Sequence, residues 1–454
     1  MSTRVEEAAP LVEGSLWKAI WTMSWPLILT TVATSICGLV DVQCAGFLGS
    51  VSQAAVGLAE QVMFLFMVFI MSLGVGATAI VSRAFGEKDQ KAATYNAGQS
   101  LSLSIGSGLV LTVAALLTAR YLLPFFSKSP QVVAASDHYL MVFALYMVPW
   151  SIVAMSNAIF RGIGNARIPL IVMTTEVLIN VIGDYATIVY NWPVPGLGIN
   201  GIAISAVLGS IGAASVAIFH LKRSPVGECF QQLYPLNMEE VKRVLRIGVP
   251  TGFRNLSWAA SVFAIFFILS LLKEPTAALA SWTIGMRVEG LLFMPLMALS
   301  LAVGSIVGQN LGAEKIDRAF RAGWHMTWLG VGMMFILATP LFIFATQCAA
   351  RMTHDPDTIR ITAEYLRINA LAEPFLAVNM VLNGALQGAG DTKIPMWISI
   401  VSNWLIRLPL AYWLSLQLGM NAAGTWTAMA ASIVISSLVI AWRFQTGVWT
   451  KLRV

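Results

Sequence analysis

The sequence places polar side chains inside a stretch of otherwise apolar residues. Within LIVMTTEVLINVIGDYATIVY, residues 170–190, Glu176, Asn180 and Asp184 are spaced four residues apart. Residues four apart lie on one face of a helix, so Asn180 and Asp184 are predicted to point from the same face. A further carboxyl group, Asp41, lies in a second apolar stretch, SICGLVDVQCAG. At the centre of a membrane helix such an acid costs about 2.5–3.5 kcal/mol, so it persists only with a partner, water or a function.

These residues predict an ion-binding site. If the first and fifth membrane helices run outward, Asp41 and Asp184 lie at similar depth, with Asn180 beside them and Ser205 level with them on the sixth helix. Two close carboxyl groups in low dielectric cannot both ionise, so the pair can hold a proton. The same oxygens could instead hold Na⁺. The sequence leaves H⁺ and Na⁺ open, and a third interpretation is an aspartic acid kept protonated for packing alone.

The composition indicates an all-α polytopic membrane protein. The chain has 454 residues, of which 57% are hydrophobic and 11% are charged. A soluble domain has about 25% charged residues, so this chain could not cover a soluble globule with polar surface. The net charge of +6 comes from scattered basic residues, which does not predict a nucleic-acid partner. The four histidines are also dispersed, so no metal site is predicted.

Twelve apolar segments of about 20 residues predict twelve transmembrane helices. In hydrocarbon every backbone amide needs a partner in the protein, which a helix supplies within one segment. The alternating strands of a membrane barrel are not seen. The predicted segments are 19–47, 54–80, 95–118, 137–158, 168–190, 200–221, 246–272, 277–307, 322–346, 364–386, 394–416 and 421–443.

The charge of the links predicts the orientation. Basic residues concentrate after the even-numbered segments, whereas the links after segments one, five and eleven have none. This bias places both termini in the cytoplasm. The expected location is the cell inner membrane, as a multi-pass protein. The first twenty residues are interpreted as a cytoplasmic tail rather than a cleaved signal. The third and ninth links are partial exceptions, with Arg120, Lys128, Arg351, Arg360 and Arg367.

The chain contains an internal repeat. NAIFRGIGNARIPL (157–170) matches NGALQGAGDTKIPM (383–396), and VSRAFGEKDQKAA (81–93) matches VGQNLGAEKIDRA (307–319), both at an offset of 226. The repeat predicts two pseudo-symmetric six-helix bundles. Because six is even, both bundles enter the membrane from the same side, as in parallel transporter repeats. The predicted lobes are 1–221 and 247–454, and the predicted cytoplasmic linker is 222–246.

The second lobe does not repeat the acidic site. At the same offset, Ile406 and Leu410 stand where the first lobe has its amide and carboxyl group. Ion handling is therefore predicted in the first lobe. Glu373 is a second predicted cation contact, because a helix broken at Pro374 could expose it to a cleft between the lobes; the alternative is an interhelical salt bridge.

Three further residues have predicted roles. Glu176 and Arg254 are further candidate cleft contacts. Pro26 lies in the first membrane segment, where a proline permits bending. The helix could bend when Asp41 gains a proton, or the kink could be static.

The motifs resemble those of a known family. ASWTIGMRVEGLLFMPLMALSLAVGSIVGQNLGAEKIDRA (280–319), NGALQGAGDTKIPM and IFRGIGNARIPL resemble the multidrug and toxic compound extrusion (MATE) family. The resemblance implies two six-helix lobes around a V-shaped cleft. It also implies a secondary antiporter that expels organic cations and other amphiphiles in exchange for H⁺ or Na⁺.

The resemblance also assigns individual residues. Asp41 matches the first-helix acid of the family, and Asn180 and Asp184 match the fifth-helix pair of its DinF-like branch. That branch has a threonine near the position of Ser205. The seventh-helix acid of the NorM-like branch has no counterpart here, which favours a mechanism in the first lobe.

The predicted function is multidrug efflux by alternating access between two lobes, coupled to H⁺ or Na⁺ with no other cofactor. The expected partners are drug-like small molecules and the lipid bilayer, and a monomer is expected. The alternative is a flippase for lipid-linked precursors, which needs a strongly cationic cleft, and Arg254 and Arg407 are few for that. No nucleophile–base pair or metal-ligand pattern is visible in the spans, so the sequence does not predict an enzyme.

Overall fold

The computed structural model describes residues 11–121, 123, 129–192 and 196–452. Within them no strand occurs and twelve long helices follow one another along the chain. They are α1 (Leu16–Phe47), α2 (Ser50–Gly86), α3 (Gln90–Tyr121), α4 (Pro130–Gly162), α5 (Arg167–Val189), α6 (Ile199–Lys222), α7 (Met238–Ser270), α8 (Pro275–Gly312), α9 (Ile316–Ile343), α10 (Pro356–Gly388), α11 (Lys393–Gln417) and α12 (Ala422–Gln445). A short helix, Ala345–Met352, lies between α9 and α10.

The predicted all-α membrane fold is confirmed. Eleven of the twelve helices are long and apolar enough to cross a membrane. The exception is α10, which carries five charged residues, four of them in the first twelve residues that form its first turns. Those turns extend the helix eight residues before the predicted start at 364, because the prediction followed the apolar residues alone. Two predictions, the tail over residues 1–10 and the position of Lys128, lie outside the described residues.

The chain divides into two compact units. Unit 1 is Met1–Val249 with Gly312–Glu314, and unit 2 is Pro250–Leu311 with Lys315–Val454. The division falls inside α7, at Pro250. The predicted linker, 222–246, is partly helical, since α7 begins at residue 238.

The linker is fixed to α3 by hydrogen bonds from Gln99. Its Nε2 donates to the Gln232 and Pro235 carbonyl oxygens at 2.8 and 3.1 Å, and its Oε1 accepts from the Asn237 backbone N–H at 2.7 Å. The linker is therefore part of unit 1.

Backbone conformations recur at the offset of the sequence repeat. Lys88 and Glu314 both have positive φ, at 61° and 58°, and Gly164 and Gly390 have φ of 85° and 84°. These conformations end matching helices in the two halves. Local geometry therefore repeats along with the sequence, including at two non-glycine residues for which positive φ is unfavourable.

Candidate functional site

The three polar residues of α5 are turned into unit 1. Glu176, Asn180 and Asp184 are all buried, and Asp184 is 0% exposed. On the other side of the same helix, Leu178 and Ile182 are exposed, as expected for side chains that face lipid. Asn180 and Asp184 therefore lie on one buried face, as their spacing predicts, and Glu176 lies on the same face.

Helix α1 contacts this face along two successive turns. The Cys37 Sγ lies 3.1 Å from Asn180 Oδ1, to which it donates a hydrogen bond. One turn later, the carboxyl groups of Asp41 and Asp184 interact directly. The residue numbers increase together along the two helices, from Cys37 and Asn180 to Asp41 and Asp184, so α1 and α5 run parallel. The structure thus brings together the two acids that the sequence predicted to be neighbours.

Helix α6 closes the site through small residues. The Ser205 side chain interacts with the Asp184 carboxyl group. It also packs against Gly183, where an added Cβ would lie 2.6 Å from Ser205 Oγ. The Ser205 hydroxyl donates to the Gly201 carbonyl oxygen at 2.8 Å. Because that hydroxyl has a single proton, its oxygen is then left to accept a hydrogen bond from the site.

The Asp184 carboxyl group has no basic partner among the described residues. Its oxygens are buried, and no ion pair in the described part of the chain includes this residue. A buried carboxylate in that state is strongly unfavourable, whereas a bound proton or cation stabilises it. The arrangement can therefore bind a proton shared with Asp41, or a cation held by carboxyl, amide and hydroxyl oxygens.

Helix α5 is irregular directly after the site, whereas α1 is continuous through its proline. Directly after Asp184, α5 changes to π-helix over Tyr185–Val189, and such segments are frequent at functional sites. Helix α1 passes through Pro26 without interruption, and the Pro26 carbonyl oxygen accepts a hydrogen bond of 2.8 Å from the Thr30 hydroxyl. The role of Pro26 in bending stays a prediction.

The structure adds residues that the sequence did not assign to the site. Glu60 of α2 and Tyr139 of α4 both interact electrostatically with Asp41. Tyr146 of α4 donates to Glu176 at 2.7 Å. In the sequence, Glu60 could be recognised as an acid within an apolar segment. A tyrosine in an apolar helix cannot be distinguished by its spacing from a residue of the hydrophobic core.

The other predicted contacts lie in unit 2. Glu373 is 3% exposed and interacts with Glu289 of α8. Helix α10 continues through Pro374, so the predicted break that would expose Glu373 does not occur. Arg254 is half-buried on α7, and its Nη2 donates to Asn255 Oδ1 at 3.3 Å.

The sequences of related proteins align with nearly the whole length of this chain. A protein of Thermotoga maritima described as the probable multidrug resistance protein NorM is 29% identical over 449 residues, covering 98% of this chain and 95% of that protein. The probable multidrug resistance protein YoeA of Bacillus subtilis is 23% identical, covering 97% of this chain and 96% of its own.

Solved structures share the fold. A multidrug resistance MATE family transporter of the MOP superfamily, in an outward-facing conformation, has a TM-score of 0.91 at 21% identity, with all of both chains covered. A MOP superfamily transporter from Pyrococcus furiosus has a TM-score of 0.89 at 20% identity, with 98% of each chain covered.

The family model named MatE matches residues 26–186 and 250–413, one segment in each half of the chain. Together the two segments make up more than half of the protein. With the twelve helices and the motifs in both halves, this match shows that the chain belongs to the MatE family of membrane transporters.

Proposed function

We propose that this protein exports drug-like amphiphiles and organic cations from the cell in exchange for H⁺ or Na⁺. Its relatives are described as probable multidrug resistance proteins, which supports the substrate class. The observation that carries the coupling is the Asp184 carboxyl group, which is buried without a basic partner among the described residues and interacts with Asp41. The protein acts in the inner membrane as a monomer, with both termini in the cytoplasm.

The site drives transport only if the ion binds two conformations with different affinity. With no ion bound, Asp41 and Asp184 repel one another when both are charged. A proton or Na⁺ removes that repulsion and favours the packing of α1 on α5 seen here. Loss of the ion favours a different packing, and this difference couples the ion gradient to export.

The choice between H⁺ and Na⁺ depends on the number of oxygens available. Na⁺ needs several oxygen ligands, which here are those of Asp41, Asp184 and Ser205, with Asn180 Oδ1 accepting from Cys37. A proton needs only the carboxyl pair.

The test is drug transport in proteoliposomes with H⁺ and Na⁺ gradients imposed separately. We expect one gradient to drive efflux in the wild type and neither to drive it in Asp41→Asn, because the amide removes the shared charge. Asp317→Asn is the matched control, since it makes the same chemical change at an exposed residue and should leave efflux intact. Efflux by Asp41→Asn at the wild-type rate would contradict the proposal.

A further inference from the structure

A tyrosine and a glutamate form a buried pair beside the ion site, and the mechanism proposed above does not use it. The Tyr146 hydroxyl donates a hydrogen bond of 2.7 Å to Glu176 Oε1. The two residues are 8% and 6% exposed. Glu176 Oε2 is buried and has no hydrogen-bond partner among the described residues. One oxygen of this carboxyl group is therefore held in place, and the other is available to bind a proton.

The backbone of α4 changes at this tyrosine. The helix is α-helical over Pro130–Phe143, makes a 3₁₀ turn over Ala144–Tyr146 and is then α-helical again. A 3₁₀ turn is wound more tightly than an α-helix, so it rotates the residues that follow about the helix axis. The Tyr146 ring packs between Phe143 and Trp150, with ring centres 5.2 and 6.1 Å away. This packing on both sides keeps the hydroxyl directed at the carboxyl group on α5.

The groups that face Glu176 provide no positive charge. α4 contributes the tyrosine, and α1 contributes Cys37 and Asp41. α6 contributes Gly209, where an added Cβ would lie 2.9 Å from the Glu176 carbonyl oxygen. Glu60 of α2 interacts electrostatically with Asp41. No ion pair in the described part of the chain includes Glu176. A buried carboxylate without a basic partner is unfavourable, and a bound proton removes its charge.

We propose that Glu176, positioned by Tyr146, is a second proton-binding group that passes the proton from the Asp41–Asp184 pair toward the cytoplasm. This inference rests on the proposed function, with H⁺ as the coupling ion. Glu176 precedes Asp184 by eight residues, about 12 Å along the helix. The predicted orientation places it on the cytoplasmic side of Asp184.

The transfer conserves charge and protons at each step. The O–H bond of the protonated Asp41–Asp184 pair breaks, and the pair keeps the bonding electrons as a carboxylate. Water carries the proton past the intervening turn, and Oε2 of the Glu176 carboxylate binds it. Release of that proton to cytoplasmic water restores the carboxylate for the next cycle.

Infrared spectroscopy of the purified full-length protein across a pH series tests whether Glu176 binds a proton. A protonated carboxyl group gives a C=O stretching band that is separate from the carboxylate bands. We expect Glu176→Gln to remove one such band and Asp41→Asn to leave that band in place. Tyr146→Phe should shift it, because phenylalanine keeps the ring packing and cannot donate the hydrogen bond. The proposal is wrong if Glu176→Gln removes no band at any pH.

Transport in proteoliposomes separates this proposal from the proposed function. Under a proton gradient we expect Glu176→Gln to slow drug efflux by about tenfold to a hundredfold, since a positioned proton-transfer group is lost. Exchange of labelled for unlabelled drug needs no net proton movement and should keep its rate. Thr175→Val, on the same turn, is the control and should behave as the wild type.

Two results would count against the proposals in different ways. Wild-type efflux in Glu176→Gln, together with none in Asp41→Asn, would overturn the second proton-binding group alone. Wild-type efflux in both variants would overturn the proposed function itself.

Discussion

Helix α5 of unit 1 and helix α11 of unit 2 occupy matching places in the repeat, but their buried faces carry opposite charges. On α5 the buried charged groups are the acids Glu176 and Asp184. On α11 the buried charged group is Arg407, which is 9% exposed and donates from Nε to Ser432 Oγ at 2.8 Å. Arg407 interacts with Glu289 of α8.

The difference separates a mobile charge from a fixed one. A proton or metal ion at Asp184 can leave for either side of a membrane, whereas the guanidinium group of Arg407 is covalently attached. Glu289 of unit 2 therefore has a permanent positive neighbour, whereas no ion pair in the described part of the chain includes Glu176 or Asp184 of unit 1. In the proposed mechanism only unit 1 requires an exchangeable ion.

The largest expected effect comes from removing Asp184 of unit 1, with removal of Glu373 of unit 2 as the comparison. We expect Asp184→Asn to reduce ion-driven drug efflux to the background of empty liposomes, because the asparagine cannot share a proton with Asp41. Glu373→Gln should keep most of the efflux, because that acid belongs to the unit with the fixed cation. The measurement is drug efflux from proteoliposomes at matched protein density. Equal losses in both variants would break the comparison between the units.

A smaller effect on stability is expected from removing the fixed cation. Arg407→Met should lower the free energy of unfolding by about 1.5–3 kcal/mol, since a charged hydrogen bond to Ser432 is lost. Adding Glu289→Gln should recover part of the loss, because the carboxylate then no longer lacks a positive neighbour. Thermal unfolding in detergent measures both effects.

The matched control for this pair of variants is Arg360→Met. Arg360 is also an arginine of unit 2, but its ion pairs lie at an exposed surface, where they contribute little. If Arg407→Met is as stable as Arg360→Met, the guanidinium group is not the stabilising partner inferred here.

The smallest effect concerns the helix caps at matching positions. Ser129 caps α4 and Asp355 caps α10, each followed by proline, and the Asp355 carboxylate accepts from the Thr358 N–H at 2.9 Å. Hydrogen bonds from the Thr358 hydroxyl and backbone N–H lower the pKa of Asp355 below its ordinary value. A lowered pKa in the folded state stabilises the protein above the unfolded pKa of about 3.9, and this contribution is lost as the pH falls.

Replacing the aspartate by the serine of the other half should therefore remove a pH-dependent contribution. We expect Asp355→Ser to be slightly less stable than the wild type at neutral pH and equally stable at the lowest pH at which both remain folded. Unfolding midpoints measured across that range test it. A difference that is constant with pH would show that the carboxylate charge does not matter.

The sequence predicted the parts of the molecule that depend on periodicity. The number of long helices followed from apolar segments, and the polar face of α5 followed from residues four apart. The pairing of Asp41 with Asp184 followed from counting residues along helices of known rise. These predictions needed only the geometry of a regular helix.

The remaining features depend on how helices pack and where they stop being regular. The 3₁₀ turn that precedes the Tyr146 contact with Glu176 has no recognisable sequence signal. The contact between Cys37 and Asn180 depends on the rotation of two helices about their axes. Arg407 is buried at the end of a π-helical segment, Val401–Arg407, which has no recognisable sequence signal. Such departures change which side chains meet without changing the apolar pattern.

The parallel alignment of α1 and α5 has a mechanical consequence. Cys37 lies beside Asn180 and Asp41 beside Asp184, so both contacts depend on one longitudinal register. A displacement of α1 by one turn, about 5.4 Å, would place Asp41 beside Asn180 and separate the two carboxyl groups. Sliding of one helix along the other would therefore exchange an acid–acid contact for an acid–amide contact, and a cysteine crosslink or a distance probe between these helices would report that exchange directly.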